Sequence, residues 1–219
     1  MNATLKNNLR RILTGLPVYR TLKNELEYRK WKNQQQTSPS EPVPHRVKQQ
    51  LIASYQQKYG CKVLVETGTY LGDMIVAQRN NFEKLYSIEL SPELHRRAVH
   101  RFRKNPRIRI LLGDSGQVLP VLLKEITQPA LFWLDGHYSA GITARGSTEC
   151  PIFEELEAIF SCGIQHPVVL IDDARCYTGT GDYPSLEELR AYLAGRASGY
   201  TMEVGEDVVR VCASHFVLR

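Results

Sequence analysis

The chain has 219 residues, 42% hydrophobic and 23% charged, which is enough to close one sizeable core and excludes a disordered or fibrous protein. Five cysteines, at 61, 150, 162, 176 and 212, are odd in number and include no Cys-x-x-Cys pair, so they indicate neither a disulfide framework nor a thiolate zinc site; a reducing compartment fits them. Net charge is +5, but residues 1–60 carry eleven Lys/Arg against three Glu while residues 61–219 carry 17 Lys/Arg against 20 Asp/Glu, so the basic excess is N-terminal and no basic groove is expected through the main body.

No apolar run reaches the roughly 20 residues that cross a bilayer, and residues 1–11 lack the apolar segment of a secretory signal, so a cytoplasmic protein is expected. Leu5, Leu9, Ile12 and Leu13 recur at helical spacing among Lys6, Arg10 and Arg11; Pro17 interrupts them, and a second helix is predicted over 19–31. Residues 1–32 thus read as a basic amphipathic extension able to dock on an anionic surface, at the inner face of the membrane, or on a partner helix. The polar stretch 34–44 holds three prolines and reads as a linker, which divides the chain into an extension with linker, 1–43, and a globular domain, 44–219.

A helix over 47–59 opens the domain. Strands are then predicted at 62–66, 84–89, 107–112, 130–135 and 167–172, with helices at 73–81, 92–104, 115–126 and 151–160 between them. A helix over 184–193 precedes 200–204, a Gly-Glu-Asp turn and 208–212, which reads as an antiparallel hairpin. The alternation predicts an α/β fold with a mostly parallel sheet covered by helices on both faces.

In such a sheet ligands sit beyond the carboxyl ends of the strands. Five predicted strand ends carry an acidic residue at or just past them: Glu66, Glu89, Asp114, Asp135 and the pair Asp172, Asp173. Taken singly, each has a plain structural reading as a cap or turn former, and Asp114 with Ser115 has the form of a helix cap. The first loop, Glu66-Thr67-Gly68-Thr69-Tyr70-Leu71-Gly72-Asp73, contains only part of the Gly-x-Gly-x-x-Gly pattern that seats a pyrophosphate, with Tyr70 between its two glycines. Glu89 lies 23 residues beyond Glu66, a spacing that suits an acidic residue receiving ribose hydroxyls, so the pattern favours an adenosine ligand without a pyrophosphate.

Over residues 60–219 the sequence resembles class I S-adenosylmethionine-dependent methyltransferases. Val65-Glu66-Thr67-Gly68-Thr69-Tyr70-Leu71-Gly72 is similar to the first-loop motif of small-molecule O-methyltransferases of the macrocin type and, more distantly, the catechol type. The resemblance implies a Rossmann-like seven-stranded sheet. It further implies that Glu66, Thr67, Gly68, Thr69, Tyr70 and Gly72 approach the amino-acid part of S-adenosylmethionine, that Glu89 takes the ribose hydroxyls, and that Asp114 with Ser115 borders the adenine, with Asp135 at the edge of the same site. Metal-dependent members place one Asp after the fourth strand and an acidic pair after the fifth. That pattern maps onto Asp135, Asp172 and Asp173 and implies Mg²⁺, which lowers the pKa of a bound hydroxyl.

His137 is the candidate general base, because an imidazole with an ordinary pKa near 6.5 can accept a proton at neutral pH; it is also a potential metal ligand. Residues 138–149 form a long Gly-, Ser- and Thr-rich insertion, so that 37 positions separate Asp135 from Asp172; Arg145 within it could hold an acceptor. The expected acceptor is a hydroxyl of a small molecule or saccharide. Methylation of a nucleic-acid base typically uses an Asn/Asp-Pro-Pro-aromatic segment after the fourth strand, whereas here the chain reads Leu134-Asp135-Gly136-His137-Tyr138, which argues against nucleic acid. The basic cluster Arg96, Arg97, His100, Arg101, Arg103 and Lys104 reads as a solvated helix face. The alternatives are an RNA or protein methyltransferase, or a non-catalytic nucleotide-binding or membrane-docking module.

Overall fold

The structure, a computed structural model, describes residues 17–33, 42–136 and 150–214. The amphipathic segment before Pro17, most of the linker, His137, the insertion 138–149 with Arg145, and the last five residues lie outside the described residues.

In chain order the elements are α1 (Pro17–Asn33), α2 (His45–Tyr59), β1 (Val63–Thr67), α3 (Asp73–Gln78), β2 (Lys84–Glu89), α4 (Pro92–Phe102), β3 (Ile108–Leu112), α5 (Ser115–Leu122), β4 (Ala130–Leu134), α6 (Ile152–Ser161), β5 (Val168–Ile171), α7 (Leu186–Arg196), β6 (Tyr200–Gly205) and β7 (Val208–Ala213). They build one seven-stranded sheet in the order β3-β2-β1-β4-β5-β7-β6. The five strands β1 to β5 are mutually parallel, and β7 runs antiparallel to both β5 and β6.

The central strands show why the sheet is buried on both sides. Val63–Thr67, Ala130–Leu134 and Val168–Ile171 are buried at every position, as near-continuous apolar runs must be when helices cover both faces. Strand periodicity then sorts side chains into two cores. Val63, Val65, Phe132 and Leu134 point toward Leu119, Leu122, Leu156 and Leu189 of α5, α6 and α7. Leu64, Leu131 and Trp133 point the opposite way, toward Ile52 of α2, Ile75 of α3 and Phe102 of α4. Trp133 is a core residue, 1% exposed.

Local signals fix the helix starts. Ser91 caps α4 by accepting from Leu94 N, with Pro92 at the first helical position, and Ser185 with Glu188 makes a reciprocal capping box on α7. On α4, Arg97 pairs with Glu93 one turn away and Arg96 bonds the Pro92 carbonyl, so these two charges are spent within the helix face.

The extension is bound to the domain. α1 packs on α2, with Arg46 pairing to Glu25, and Arg20 reaches Asp73 at the start of α3. On another side of α1, Val18, Leu22 and Leu26 are exposed at four-residue intervals. Among the described residues no helix is long and apolar enough to cross a membrane.

Candidate active site at the strand ends

The acidic strand ends come together because the parallel ladder continues one bond past each strand. Gly68 N donates to Ile88 O (2.9 Å), Gly113 N to Glu89 O (3.0 Å), Asp135 N to Thr67 O (3.1 Å) and Asp172 N to Leu134 O (2.9 Å). These bonds set Gly113, Glu89, Gly68, Asp135 and Asp172 along one edge, at the strand spacing of about 4.8 Å.

The first loop is held at its floor by backbone contact. Gly68 has φ +85°, and a Cβ there would lie 2.3 Å from the Asp135 carbonyl oxygen, so only glycine lets the loop lie this close to the end of β4. Gly72 answers to a different demand. Its φ is +72° and a Cβ would meet the Phe102 ring at 2.7 Å, which makes it a packing position between α3 and α4. Between them Tyr70, 48% exposed, adopts φ +47°, a strained non-glycine conformation at the rim.

Beneath this loop runs a buried polar chain. Ser87 Oγ donates to Glu66 Oε2 (2.5 Å) and lies 2.6 Å from Thr69 Oγ1, tying β1, β2 and the loop together. Glu66 is 2% exposed, and burial pushes its carboxyl up to about 8, against the Ser87 bond and assisted by Glu89 and Asp73. Thr67 and Thr69, both expected near the methyl donor, make scaffold bonds, Thr67 Oγ1 accepting from Asp135 N at 3.3 Å and Thr69 Oγ1 lying against Ser87.

Glu89 holds the loop from the next strand. Its Oε2 accepts from Tyr70 N (2.8 Å) and its Oε1 from Ser91 N (2.9 Å). Each oxygen of a carboxylate has two acceptor sites, so the group can still receive a vicinal diol. Burial raises its pKa, opposed by the Ser91 and Tyr70 amides. Asp114 is the helix cap that its spacing suggested, accepting from Gly116 N (2.9 Å), with Ser115 buried in the first turn of α5.

These features fit an S-adenosylmethionine site: a glycine-bearing first loop laid against the end of β4, a carboxylate on the neighbouring strand able to accept a diol, and acceptors on the third. They do not fit the Mg²⁺ that the acidic pattern implied. Lys48, on α2, places its Nζ 2.5 Å from Asp172 Oδ1 and 2.8 Å from Asp173 Oδ1. Arg175 Nη1 lies 2.8 Å from the same Asp173 oxygen and is anchored to Asp207. The place of a divalent ion on this pair is thus taken by an ammonium group, and among the described residues no three His, Cys, Asp or Glu side chains gather as metal ligands. Asp135 takes its place on the edge through its backbone, without joining Asp172 and Asp173 in such a group.

Four residues of this region were not singled out from sequence. Ser87 is hidden in an otherwise apolar strand. Arg20 lies 53 positions from its partner. Lys48 carries a readable signal: with Ile52, Tyr55 and Tyr59 it falls on the apolar stripe of α2, where a charge demands a buried partner. His45, on the first turn of the same helix, lies within electrostatic reach of Asp73 and Lys48. Burial lowers its pKa, with Asp73 opposing the effect and Lys48 adding to it.

No protein-family model matches the chain, and no curated protein does. Solved structures do match it. A Staphylococcus aureus protein assigned as a caffeoyl-CoA O-methyltransferase superposes with a TM-score of 0.58 at 15% identity, covering 88% of this chain and 99% of its own. The O-methyltransferase TomG of Streptomyces achromogenes, in complex with S-adenosylmethionine, gives 0.58 at 16% identity over 89% of this chain and 88% of its own. The S-adenosylhomocysteine-bound methyltransferase PaMTH1 of Podospora anserina gives 0.56 at 14% identity over 97% of each chain. The fold is that of the class I S-adenosylmethionine-dependent methyltransferases. At these identities the likeness is one of fold.

Proposed function

We propose that the chain is an S-adenosylmethionine-dependent methyltransferase acting on a hydroxyl of a small molecule or saccharide. The observation that carries this reading is the first loop, whose floor lies against the Asp135 carbonyl at Gly68 on the same sheet edge as Glu89, which holds the loop through Tyr70 N. The O-methyltransferase descriptions of two similar folds support oxygen as the acceptor atom, as does the Leu134-Asp135-Gly136-His137 sequence, which lacks the aromatic motif of base amino-methylation.

The bound donor supplies an electrophilic methyl on a sulfonium and leaves as S-adenosylhomocysteine. The chain's part is positioning and proton handling. The Glu66–Gly72 loop approaches the amino-acid end, Glu89 accepts the ribose hydroxyls, and Asp114 with Ser115 borders the adenine. Asp135 turns the chain over this floor and orients the acceptor. His137, two positions further on, accepts the hydroxyl proton as the oxygen–methyl bond forms and the sulfur–methyl bond breaks. Calorimetry of the full chain with S-adenosylhomocysteine tests the reading: saturable one-to-one binding is expected, and its absence would remove it.

A peripheral membrane contact is a separate proposal, supported by Val18, Leu22 and Leu26, which are exposed along α1 beside Lys23 and Lys30. Flotation with anionic vesicles should carry the full chain upward; recovery only in the soluble fraction would reject it.

A further inference from the structure

We infer that Lys48 is a built-in cation that replaces a divalent metal ion at the carboxyl end of β5, so that this site works without one. The inference rests on the methyltransferase reading for the use of the site, while the exchange of ion for ammonium stands on geometry alone.

Asp172 and Asp173 leave β5 side by side, Asp172 being 4% exposed and Asp173 in the left-handed region at φ +52°. A buried carboxylate and a half-buried one so placed repel one another and require positive charge. An octahedral metal site would supply it through oxygen ligands at about 2.1 Å. Here it comes from Lys48, itself 6% exposed, whose Nζ bridges Asp172 Oδ1 at 2.5 Å and Asp173 Oδ1 at 2.8 Å.

Each Oδ1 accepts a second bond. Asp173 N donates to Asp172 Oδ1 (2.7 Å), and Arg175 Nη1 donates to Asp173 Oδ1 (2.8 Å). Arg175 is in turn fixed by the turn between β6 and β7, its backbone N donating to Asp207 Oδ1 at 3.0 Å. Two cations, Lys48 from α2 and Arg175 from the same loop, therefore neutralise the pair, with Asp207 holding Arg175 in place.

A magnesium ion bound through the two Oδ1 atoms would have to share them with the ammonium, and at either oxygen of the pair the two cations would repel across a poorly solvated site. The ammonium offers hydrogen bonds but no open coordination positions. An acceptor is then held through hydrogen bonds and not as a chelate of two adjacent oxygens.

The test is titration of the full chain with Mn²⁺ alone, following free ion by paramagnetic resonance. Wild type and Lys48→Arg are expected to leave the ion free at millimolar concentration. Lys48→Met keeps the apolar stem and removes the charge; it is expected to hold one ion at least about tenfold more tightly than wild type, and Asp172→Asn in the same chain should release it. Stoichiometric Mn²⁺ binding by wild type that Asp172→Asn abolishes overturns the inference, and that arm uses the native protein, so it decides even where Lys48→Met does not fold. A folded Lys48→Met chain that takes up no ion overturns it equally. Loss of S-adenosylhomocysteine binding, measured separately, would strike at the methyltransferase reading and leave this result untouched.

Discussion

The Arg20 guanidinium on α1 grips the Asp73 carboxylate at the head of α3 with two bonds, Nε to Oδ2 at 2.6 Å and Nη2 to Oδ1 at 3.0 Å. Arg101 from α4 shares Oδ1 at 3.1 Å. A residue of the N-terminal extension is thereby attached to the position that follows the glycine loop. A two-pronged, half-buried pair of this kind is worth about 1–2 kcal/mol, well above an exposed surface pair. Arg20→Ala is expected to weaken S-adenosylhomocysteine binding by roughly fivefold, with Arg20→Lys intermediate because an ammonium lacks the planar fork. Equal affinities by calorimetry would show that the loop is independent of α1.

The two loop glycines should separate in their effects. Gly68→Ala drives a Cβ into a backbone carbonyl at 2.3 Å, where nothing can yield except the loop itself, so donor binding should be lost. Gly72→Ala meets the edge of the Phe102 ring at 2.7 Å and a left-handed φ, so it should lower stability by about 1–2 kcal/mol while a measurable donor site survives. Thermal melts beside calorimetry read both. Identical binding losses in the two variants would contradict the assignment of Gly72 to packing.

Glu66 gives the fold a pH signature. Its carboxyl is pushed up to about 8 in the folded chain from an ordinary 4.5, so between these values the folded state holds a proton that the unfolded state has released. Stability therefore falls as pH rises through that window, by on the order of 4 kcal/mol, and is fully present only at its acid end. Glu66→Gln should flatten this slope in denaturant titrations at pH 5 and pH 8. A donor's ammonium group placed near Glu66 would also draw off the proton, so the heat of S-adenosylhomocysteine binding at neutral pH should differ between phosphate and Tris. Equal heats would place that ammonium elsewhere.

Substitution separates the cap that Asp114 makes from the donor contact proposed for it. Asparagine caps a helix as well as aspartate does, so Asp114→Asn should leave the melting temperature near that of wild type while reducing donor affinity about five- to tenfold. Asp114→Ala loses the bond from Gly116 N as well and should cost about 1 kcal/mol of stability. If Asp114→Asn binds the donor as tightly as wild type, the residue is a cap alone.

The architecture was legible because it is written in short-range terms. Apolar runs such as Val168–Ile171, punctuated by Ser91-Pro92 and Asp114-Ser115 at helix starts, place the elements within a few residues, and their alternation makes the sheet parallel. The gathering of Glu66, Glu89, Asp114, Asp135 and Asp172 at one edge follows from that alternation, because every parallel strand ends on the same side. Strand order and the direction of each carboxylate do not follow. They depend on pairings between residues such as Lys48 and Asp173, 125 positions apart, which no local pattern encodes.

By itself, then, the sequence determined the α/β layers, the C-terminal hairpin and the row of acidic strand ends, since periodicity and capping act within a few residues of each side chain. Only the tertiary structure decided what those carboxylates touch: Glu66 a serine, Glu89 two backbone amides, Asp172 and Asp173 an ammonium in place of a metal ion. A buried charge takes whichever partner the packed chain brings within about 3 Å, and that choice is made across the whole fold.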